Sequence, residues 1–171
     1  MVLQSEIFSR KDSGRIVDGD WDVNVTPLED FPKYKICYER FVNGKTWDQA
    51  GAYDLMDELM KIKPGADRCY SSSDVKVRYD ALDEVYRKVK TQNELMSRKE
   101  IHKYNFRESG GVYVHIDRNS NFIFARGGCH RLAISKILKL KIIPAQVGVV
   151  HYKALPFWRN CVIKAPDKKI I

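Results

Sequence analysis

The sequence predicts a single domain of the mixed α/β class, because helix-type and strand-type hydrophobic patterns alternate along a chain of 171 residues. The most regular helical periodicity covers 75–90, where apolar residues recur every three or four positions. These residues are Val75, Tyr79, Leu82, Tyr86 and Val89. Two short apolar segments, 112–116 and 122–125, flank a polar loop and predict a β-hairpin. Apolar and charged fractions of 44% and 30% exclude a chain that is disordered throughout.

The first third of the chain carries weaker local signals. Residues 1–19 are polar and predict an arm or a loop, whereas 21–25 alternates apolar and polar residues as a half-buried strand does. Residues 34–42 predict a second extended segment. The residues at 46–49, Thr-Trp-Asp-Gln, fit a capping box that starts a helix ending near Ile62, before a Lys-Pro-Gly stop.

The second half of the chain predicts the elements that would form the core. Asp74 is the expected N-cap of the 75–90 helix, and a short helix or turn is expected within 94–103. A helix over 130–140 and a strand over 145–150 follow the hairpin. We expect both long helices to pack against a sheet that contains the hairpin and this last strand.

A glycine pair, Gly127 and Gly128, separates the second hairpin strand from the following helix. Glycines there allow left-handed backbone and a close approach to the amides, and the free N–H groups of a first helical turn attract anions. Arg126 precedes this glycine turn, and Cys129, His130 and Arg131 follow it. A thiol at a helix N-terminus among cations should have a lowered pKa. The alternative is that the glycines only turn the chain, with a buried cysteine and solvated arginines.

The same residues resemble a known family. Gly-Gly-Cys-His-Arg at 127–131, an apolar helix and then Ile-Pro-Ala at 143–145 are similar to the active-site region of the sulfiredoxins. They are similar, more loosely, to the Gly-x-x-Arg helix start of the ParB-like nucleotide-binding domains, which share that fold. The resemblance implies a ParB/sulfiredoxin-like core over 71–152, preceded by an N-terminal extension over 1–70 that packs on it and followed by a tail over 153–171.

The resemblance also implies a nucleotide site. In the sulfiredoxins the residue that matches Cys129 is the catalytic thiol, so Cys129 and His130 are the candidate catalytic residues. The candidate nucleotide- and phosphate-binding residues are Arg126, Gly127, Gly128, Cys129, His130 and Arg131. The implied ligand is ATP or CTP, with Mg²⁺. Relatives in the wider ParB-like group bind CTP, phosphorylate small molecules such as serine, or cut DNA.

Three functions follow as alternatives from that resemblance. The first is an ATP- or CTP-dependent phosphoryl-transfer enzyme. The second is a sulfiredoxin-like cysteine sulfinic acid reductase, in which Cys129 acts on an oxidised protein thiol. The third is a ParB-like DNA-associated protein or nuclease. We favour the first, because Arg126 stands where an aromatic residue usually precedes the family's glycines, and because no docking surface for a peroxiredoxin is visible upstream.

The distribution of charge is consistent with a phosphate-bearing ligand. The formal net charge is +8, yet the region from Arg118 to Pro166 contains no Asp or Glu. Its nine cationic residues are at 118, 126, 131, 136, 139, 141, 153, 159 and 164. Such a basic face would attract a nucleotide or DNA, and the alternative is a solvated face that serves solubility.

The sequence also bears on location and metals. No apolar run approaches the length of a membrane span, and the N-terminus lacks the apolar core of a signal peptide, so we expect a cytoplasmic protein without a membrane span. Its four cysteines, at 37, 69, 129 and 161, should then be reduced. They lack metal-type spacing, and the histidines at 115, 130 and 151 lack nearby carboxylates, so no metal-ligand set is predicted.

Overall fold

The computed structural model describes residues 1–4, 8–105 and 108–158. A six-stranded mixed sheet runs through it in the order β2-β6-β4-β5-β1-β3. The strands are β1 (Val2–Leu3), β2 (Ile16–Val17), β3 (Val25–Thr26), β4 (Val112–Ile116), β5 (Phe122–Phe124) and β6 (Ala145–His151). The α-helices are α1 (Pro32–Phe41), α2 (Ala52–Ile62), α3 (Ser72–Gln92), α4 (Arg98–Ile101) and α5 (Cys129–Ile137). The chain is therefore of the mixed α/β class, as the alternating patterns predicted.

Strand β4 forms the middle of the sheet. All five of its residues are buried, and it pairs antiparallel with β5 and parallel with β6. These pairings confirm the predicted hairpin and the predicted last strand. Helix α5 connects β5 to β6, so its first turn lies just beyond the end of β5.

Residues 1–19 do not form the predicted arm, because two short segments of them belong to the sheet. Val2 and Leu3 are only 1% and 2% exposed, and β1 lies between β5 and β3. Strand β2 pairs with β6 at the opposite edge. The predicted 21–25 strand is also wrong for most of its length, since only Val25 belongs to a strand. Trp21 instead lies in a turn, where its ring packs edge-on against His115 at 5.8 Å.

The segment predicted to be extended at 34–42 is helical. Helix α1 begins at Pro32, whose fixed φ suits the first helical position and whose missing N–H costs nothing there. Ile36 and Cys37 on this helix are buried against Ala133 of α5. The burial of these side chains favours a helix here, although the aromatic residues of the segment are common in strands.

The predicted end of helix α2 is correct, whereas its start lies six residues later than the capping box predicted. In the capping box, the Thr46 amide donates to Gln49 over 3.0 Å and the Gln49 amide donates to the Thr46 hydroxyl over 3.2 Å. One further turn then leads into α2, which ends at Ile62 as predicted. Helix α3 is capped by Ser71 and not by Asp74, because the Ser71 hydroxyl accepts from the Asp74 amide.

Two apolar layers enclose α5. On one side its Leu132 packs with Val112, Val114 and Phe124 of the sheet. On the other side Ala133 joins a core formed by α1, α2 and α3. Val75, Tyr79 and Val89 of α3 are buried, and Leu82 and Tyr86 are partly buried, so the predicted apolar face lies in the core. It packs against α1, α2 and α5, however, and not against the sheet as expected. Among the described residues, no helix is both long enough and apolar enough to cross a membrane.

Candidate anion site at the start of helix α5

The glycine turn is required by the packing of the chain itself. Gly128 has φ +72°, and a Cβ there would overlap the Gly111 carbonyl and come within 2.7 Å of the Val112 amide nitrogen. A Cβ on Gly127 would come within 2.8 Å of the Tyr113 Cβ. The space beside both glycines is therefore filled by the start of β4, and the fold alone explains why both positions are glycine.

The first turn of α5 begins without a side-chain cap. Gly128 occupies the N-cap position and has no side chain to offer. The Leu132 amide donates to the Gly128 carbonyl over 3.0 Å and so closes the first turn. The earlier amides of the turn carry the partial positive charge of the helix terminus. This terminus is therefore able to stabilise a nearby negative charge.

Arg131 lies in a cluster of three arginines around one carboxylate. The arginine cluster consists of Arg10, Arg98, Arg131 and Glu108. The Arg131 guanidinium lies 3.8 Å from Glu108 Oε1, and their side chains are only 12% and 13% exposed. The Glu108 Oε2 atom accepts from the Arg98 backbone amide over 2.6 Å. Arg10 donates to the Glu108 carbonyl oxygen over 3.2 Å and to the Gly111 carbonyl oxygen over 2.5 Å.

The arginine cluster has more hydrogen-bond donors than Glu108 satisfies. In the described part of the chain, the buried Nε atoms of Arg98 and Arg131 and the Glu108 Oε1 atom have no hydrogen-bond partner. Burial lowers the pKa of Arg131, an effect that the Glu108 charge opposes. The Arg131 guanidinium contacts the Glu108 carboxylate, whereas Arg10 donates to main-chain carbonyl oxygens and Arg98 reaches the carboxylate through its backbone amide. Three arginines thus lie near one carboxylate, which leaves an excess of positive charge beside the glycine turn. Buried unpaired donors of this kind are costly, and an anion with more acceptor oxygens would satisfy them.

His130 and Cys129 lie on another side of the same turn. His130 is 5% exposed, its ring meets that of Tyr79 edge-on at 5.6 Å, and its Nδ1 lies 3.8 Å from the Cys129 sulfur. Burial, reinforced by the charges of Lys33 and Arg78, lowers the pKa of His130 to about 3. The imidazole is therefore neutral at physiological pH.

The environment of Cys129 contradicts the expected acidic thiol. Burial raises the pKa of the Cys129 thiol, although the nearby charge of Lys33 acts in the opposite direction. The lowering that the helix terminus supplies does not offset the loss of water around the sulfur. The predicted thiolate is thus not formed at neutral pH, and Cys129 is a protonated, partly exposed side chain.

Arg126 does not join the other predicted phosphate ligands. Its Nε donates to the Leu3 carbonyl oxygen over 3.2 Å, and its guanidinium carbon lies 5.7 Å from the centroid of the Phe31 ring. Arg126 thus holds β1 and the segment before α1 together. The structure brings Arg131 and the glycine turn together, places His130 and Cys129 on a neighbouring side, and separates Arg126 from all of them.

The predicted basic face is divided between interior and surface. Arg118 binds the buried Asp22 carboxylate over 2.6 Å and Asp20 over 2.8 Å. Arg126 and Arg131 also contact the protein interior, as described above. The exposed cations among the nine are Arg126, which also contacts Leu3, and Lys136, Lys139, Lys141 and Lys153. The cations at 159 and 164 lie outside the described residues.

Several of the residues around the first turn of α5 could not be found from the sequence. Arg10 and Glu108 are 98 residues apart and meet because the turn that carries Arg10 lies between β1 and β2, which both belong to the sheet. Lys33 and Asp67 form a 2.6 Å ion pair across 34 residues. None of these residues stands in a motif, and no local spacing signals their convergence.

Neither a metal site among the described residues nor a similarity to known proteins assigns a function to this chain. Within the described residues there is no group of three or more His, Cys, Asp or Glu side chains that could hold a metal ion. Comparison with protein-family models, with curated proteins and with solved structures found no significant match. The chemistry of the site therefore has to be argued from its own residues.

Proposed function

We propose that the protein binds ATP or CTP at the start of α5 and transfers a phosphoryl group to a small molecule. The observation that carries this proposal is the ion pair of Arg131 with Glu108 beside an uncapped helix terminus. Arg10 and Arg98 contact the same glutamate, Arg10 through its carbonyl oxygen and Arg98 through the Arg98 backbone amide. The Gly-Gly-Cys-His-Arg resemblance to the ParB/sulfiredoxin fold points to the same turn. Helix termini and paired arginines are the groups that proteins use to hold phosphates.

Glu108 occupies the position that a phosphate group would take. Its Oε1 atom lies 3.8 Å from the Arg131 guanidinium and accepts no hydrogen bond among the described residues, so this contact is a long ion pair without a hydrogen bond. A phosphate carries more charge and three terminal oxygens, and it can accept two parallel bonds from one guanidinium. We therefore expect phosphate binding to displace the Glu108 side chain and to satisfy the unpaired Nε atoms of Arg98 and Arg131.

The arginine cluster would assist transfer by stabilising charge. In phosphoryl transfer the charge spreads over the oxygens of the moving group, and catalysis rests mainly on positioning and electrostatic stabilisation. Arg131 would hold those oxygens from a helix that is fixed by the sheet on one side and by α1 and α3 on the other. Mg²⁺ would enter with the nucleotide, since this ion is commonly bound through phosphates and one or two carboxylates.

The alternatives receive less support from the described residues. A sulfinic acid reductase needs a nucleophilic thiolate, whereas burial raises the pKa of Cys129. A DNA-binding surface needs a continuous exposed stripe of cations, whereas Arg118 and Arg131 are held in ion pairs with Asp22 and Glu108. The phosphotransferase needs neither feature.

A thermal-unfolding screen tests the proposal. The full chain is heated with ATP, CTP or GTP in the presence of magnesium, and with short duplex DNA as a separate arm. A nucleotide present at 100 times its dissociation constant should stabilise the protein by about 2.7 kcal/mol. Stabilisation by DNA without any response to nucleotides would contradict the proposal.

A variant of Cys129 separates phosphoryl transfer from thiol chemistry. Cys129→Ser keeps the size of the side chain and leaves the first-turn amides in place. We expect this variant to retain nucleotide binding and nucleotide-dependent transfer to hydroxyl-bearing small molecules, followed by ³¹P NMR. Complete loss of turnover with intact nucleotide binding would assign Cys129 as the nucleophile and would favour sulfinic acid reduction.

A further inference from the structure

We propose a second site in this protein, for a small oxyanion such as a carboxylate or a phosphate, between α1, α3 and the first turn of α5. Its residues form the Lys33 cluster: Lys33, Asp67, Arg78, Tyr79 and His130. The arginine cluster is not part of it, and the proposal does not depend on nucleotide binding. The site is inferred from buried donors that lack partners beside an excess of positive charge.

Two fully enclosed polar atoms of this cluster have no hydrogen-bond partner among the described residues. They are the Tyr79 hydroxyl and the His130 Nε2 atom, on side chains that are 0% and 5% exposed. The two rings meet edge-on at 5.6 Å, so both polar groups belong to one small region. The buried Nε atom of Arg78 is also unpartnered. Leaving such groups unpaired costs about 1–3 kcal/mol each, which a bound acceptor would recover.

The cations of the cluster exceed its single carboxylate. Lys33 contacts Asp67 over 2.6 Å, and Arg78 lies 3.5 Å from the same oxygen, so two positive charges share one negative charge. Burial alone would raise the pKa of Asp67, but the charge of Lys33 and its hydrogen bond outweigh this effect and lower it. Asp67 therefore stays ionised, and one positive charge remains uncompensated.

The protonation states suit an acceptor ligand. The Cys129 thiol is protonated at neutral pH, and its sulfur lies 3.8 Å from His130 Nδ1. We assign the tautomer in which Nδ1 accepts from this thiol, so that the neutral imidazole carries its proton on Nε2 and the unpartnered atom is a donor. The ammonium of Lys33 and the guanidinium of Arg78 are donors as well. A ligand at this place must therefore accept several hydrogen bonds and carry negative charge, which describes an oxyanion.

The charged side chains of the cluster are partly exposed, whereas its two rings are buried. The Lys33 side chain is 15% exposed, that of Asp67 23% and that of Arg78 34%. Tyr79 and His130 are 0% and 5% exposed, so an ion would approach from the side of the three charged residues. The charges of Lys33, Arg78 and Asp67 all act on His130, which places the four groups within one electrostatic neighbourhood.

NMR of the full chain with ¹⁵N-labelled histidine tests this site directly. The probes are sodium sulfate for tetrahedral oxyanions and sodium acetate for carboxylates, each compared with sodium chloride at equal ionic strength. We expect a saturable shift of the His130 Nε2 resonance with at least one probe. The stronger binder then identifies the chemical class of the ligand, and a linear drift with both probes would overturn the proposal.

Matched variants locate the response. Lys33→Gln should weaken anion binding at least tenfold, whereas Lys35→Gln, on the same helix with a side chain that is 59% exposed, should leave it unchanged. Tyr79→Phe removes only the hydroxyl and should weaken binding several-fold, so it tests the site even where Lys33→Gln impairs folding. Equal affinity of wild type and Tyr79→Phe would refute the assignment of Tyr79. Arg131→Gln should keep the His130 response, which separates this site from the nucleotide site.

Discussion

Replacing Gly128 with alanine should destabilise the protein far more than the same change at Gly44. Both residues have φ +72°, so both variants bear the cost of left-handed backbone, about 1–2 kcal/mol. A Cβ at Gly44 meets nothing within 4 Å, whereas one at Gly128 overlaps the Gly111 carbonyl. Relieving that overlap requires movement of β4 or α5, which adds roughly 1–3 kcal/mol.

Urea denaturation followed by circular dichroism measures this difference. We expect Gly44→Ala to lose about 1–2 kcal/mol of unfolding free energy and Gly128→Ala to lose about 2–5 kcal/mol, with similar m values. Equal losses of unfolding free energy would show that the backbone around Gly128 can move to accommodate a Cβ at little cost. In that case, a Gly128→Ala variant that is stable but fails to bind nucleotide would show that the glycine is needed for nucleotide binding and not for the packing of the chain.

Three further outcomes follow from buried groups. Burial lowers the pKa of His115 to about 4, so the unfolded chain binds a proton that the native protein does not, and stability should fall as pH drops from 6.5 to about 4. That interval corresponds to roughly 3 kcal/mol. His115→Asn, whose side-chain oxygen can accept from the Val149 amide, should remove this part of the pH dependence in urea titrations and leave the part that buried His130 contributes. Asp22→Asn should destabilise the protein in the same assay, because it leaves Arg118 with only the exposed Asp20 carboxylate and places an uncharged amide in a buried position; an unchanged midpoint would contradict the role of this pair. Iodoacetamide should alkylate Cys129 more slowly than free cysteine at pH 7, and faster labelling by mass spectrometry would indicate a thiolate.

The predictions that succeeded rest on local signals. The periodic apolar face of α3, the capping box before α2 and the polar loop between β4 and β5 each specify an element through neighbouring residues. These elements surround α5, so the place of the candidate site in the fold was predictable. The pattern also predicted that a glycine turn would lead into a helix at this point.

The predictions that failed concern contacts between distant segments. Strands β1, β2 and β3 contain two residues each, which is too short for any periodicity to appear. The acidic thiol at Cys129 was predicted from the helix terminus, but the burial that raises its pKa comes from residues distant in the sequence, among them Val2 and Leu28. The contact of Arg10 with Glu108 also depends on strand pairing between distant segments, and no spacing within the sequence could predict that contact.

The affinity of three variants for nucleotide tests the central proposal most directly. Isothermal titration of ATP and CTP with magnesium would compare Arg131→Gln, Glu108→Gln and Lys139→Gln at moderate salt. Arg131→Gln should weaken binding at least tenfold, as expected for the loss of a charge-assisted hydrogen bond. Glu108→Gln should strengthen binding, because it removes the negative charge that competes with phosphate. Lys139 is exposed near the far end of α5, and its variant should bind as wild type does. Equal, small losses for Arg131→Gln and Lys139→Gln, with no gain for Glu108→Gln, would contradict a phosphate site in the arginine cluster.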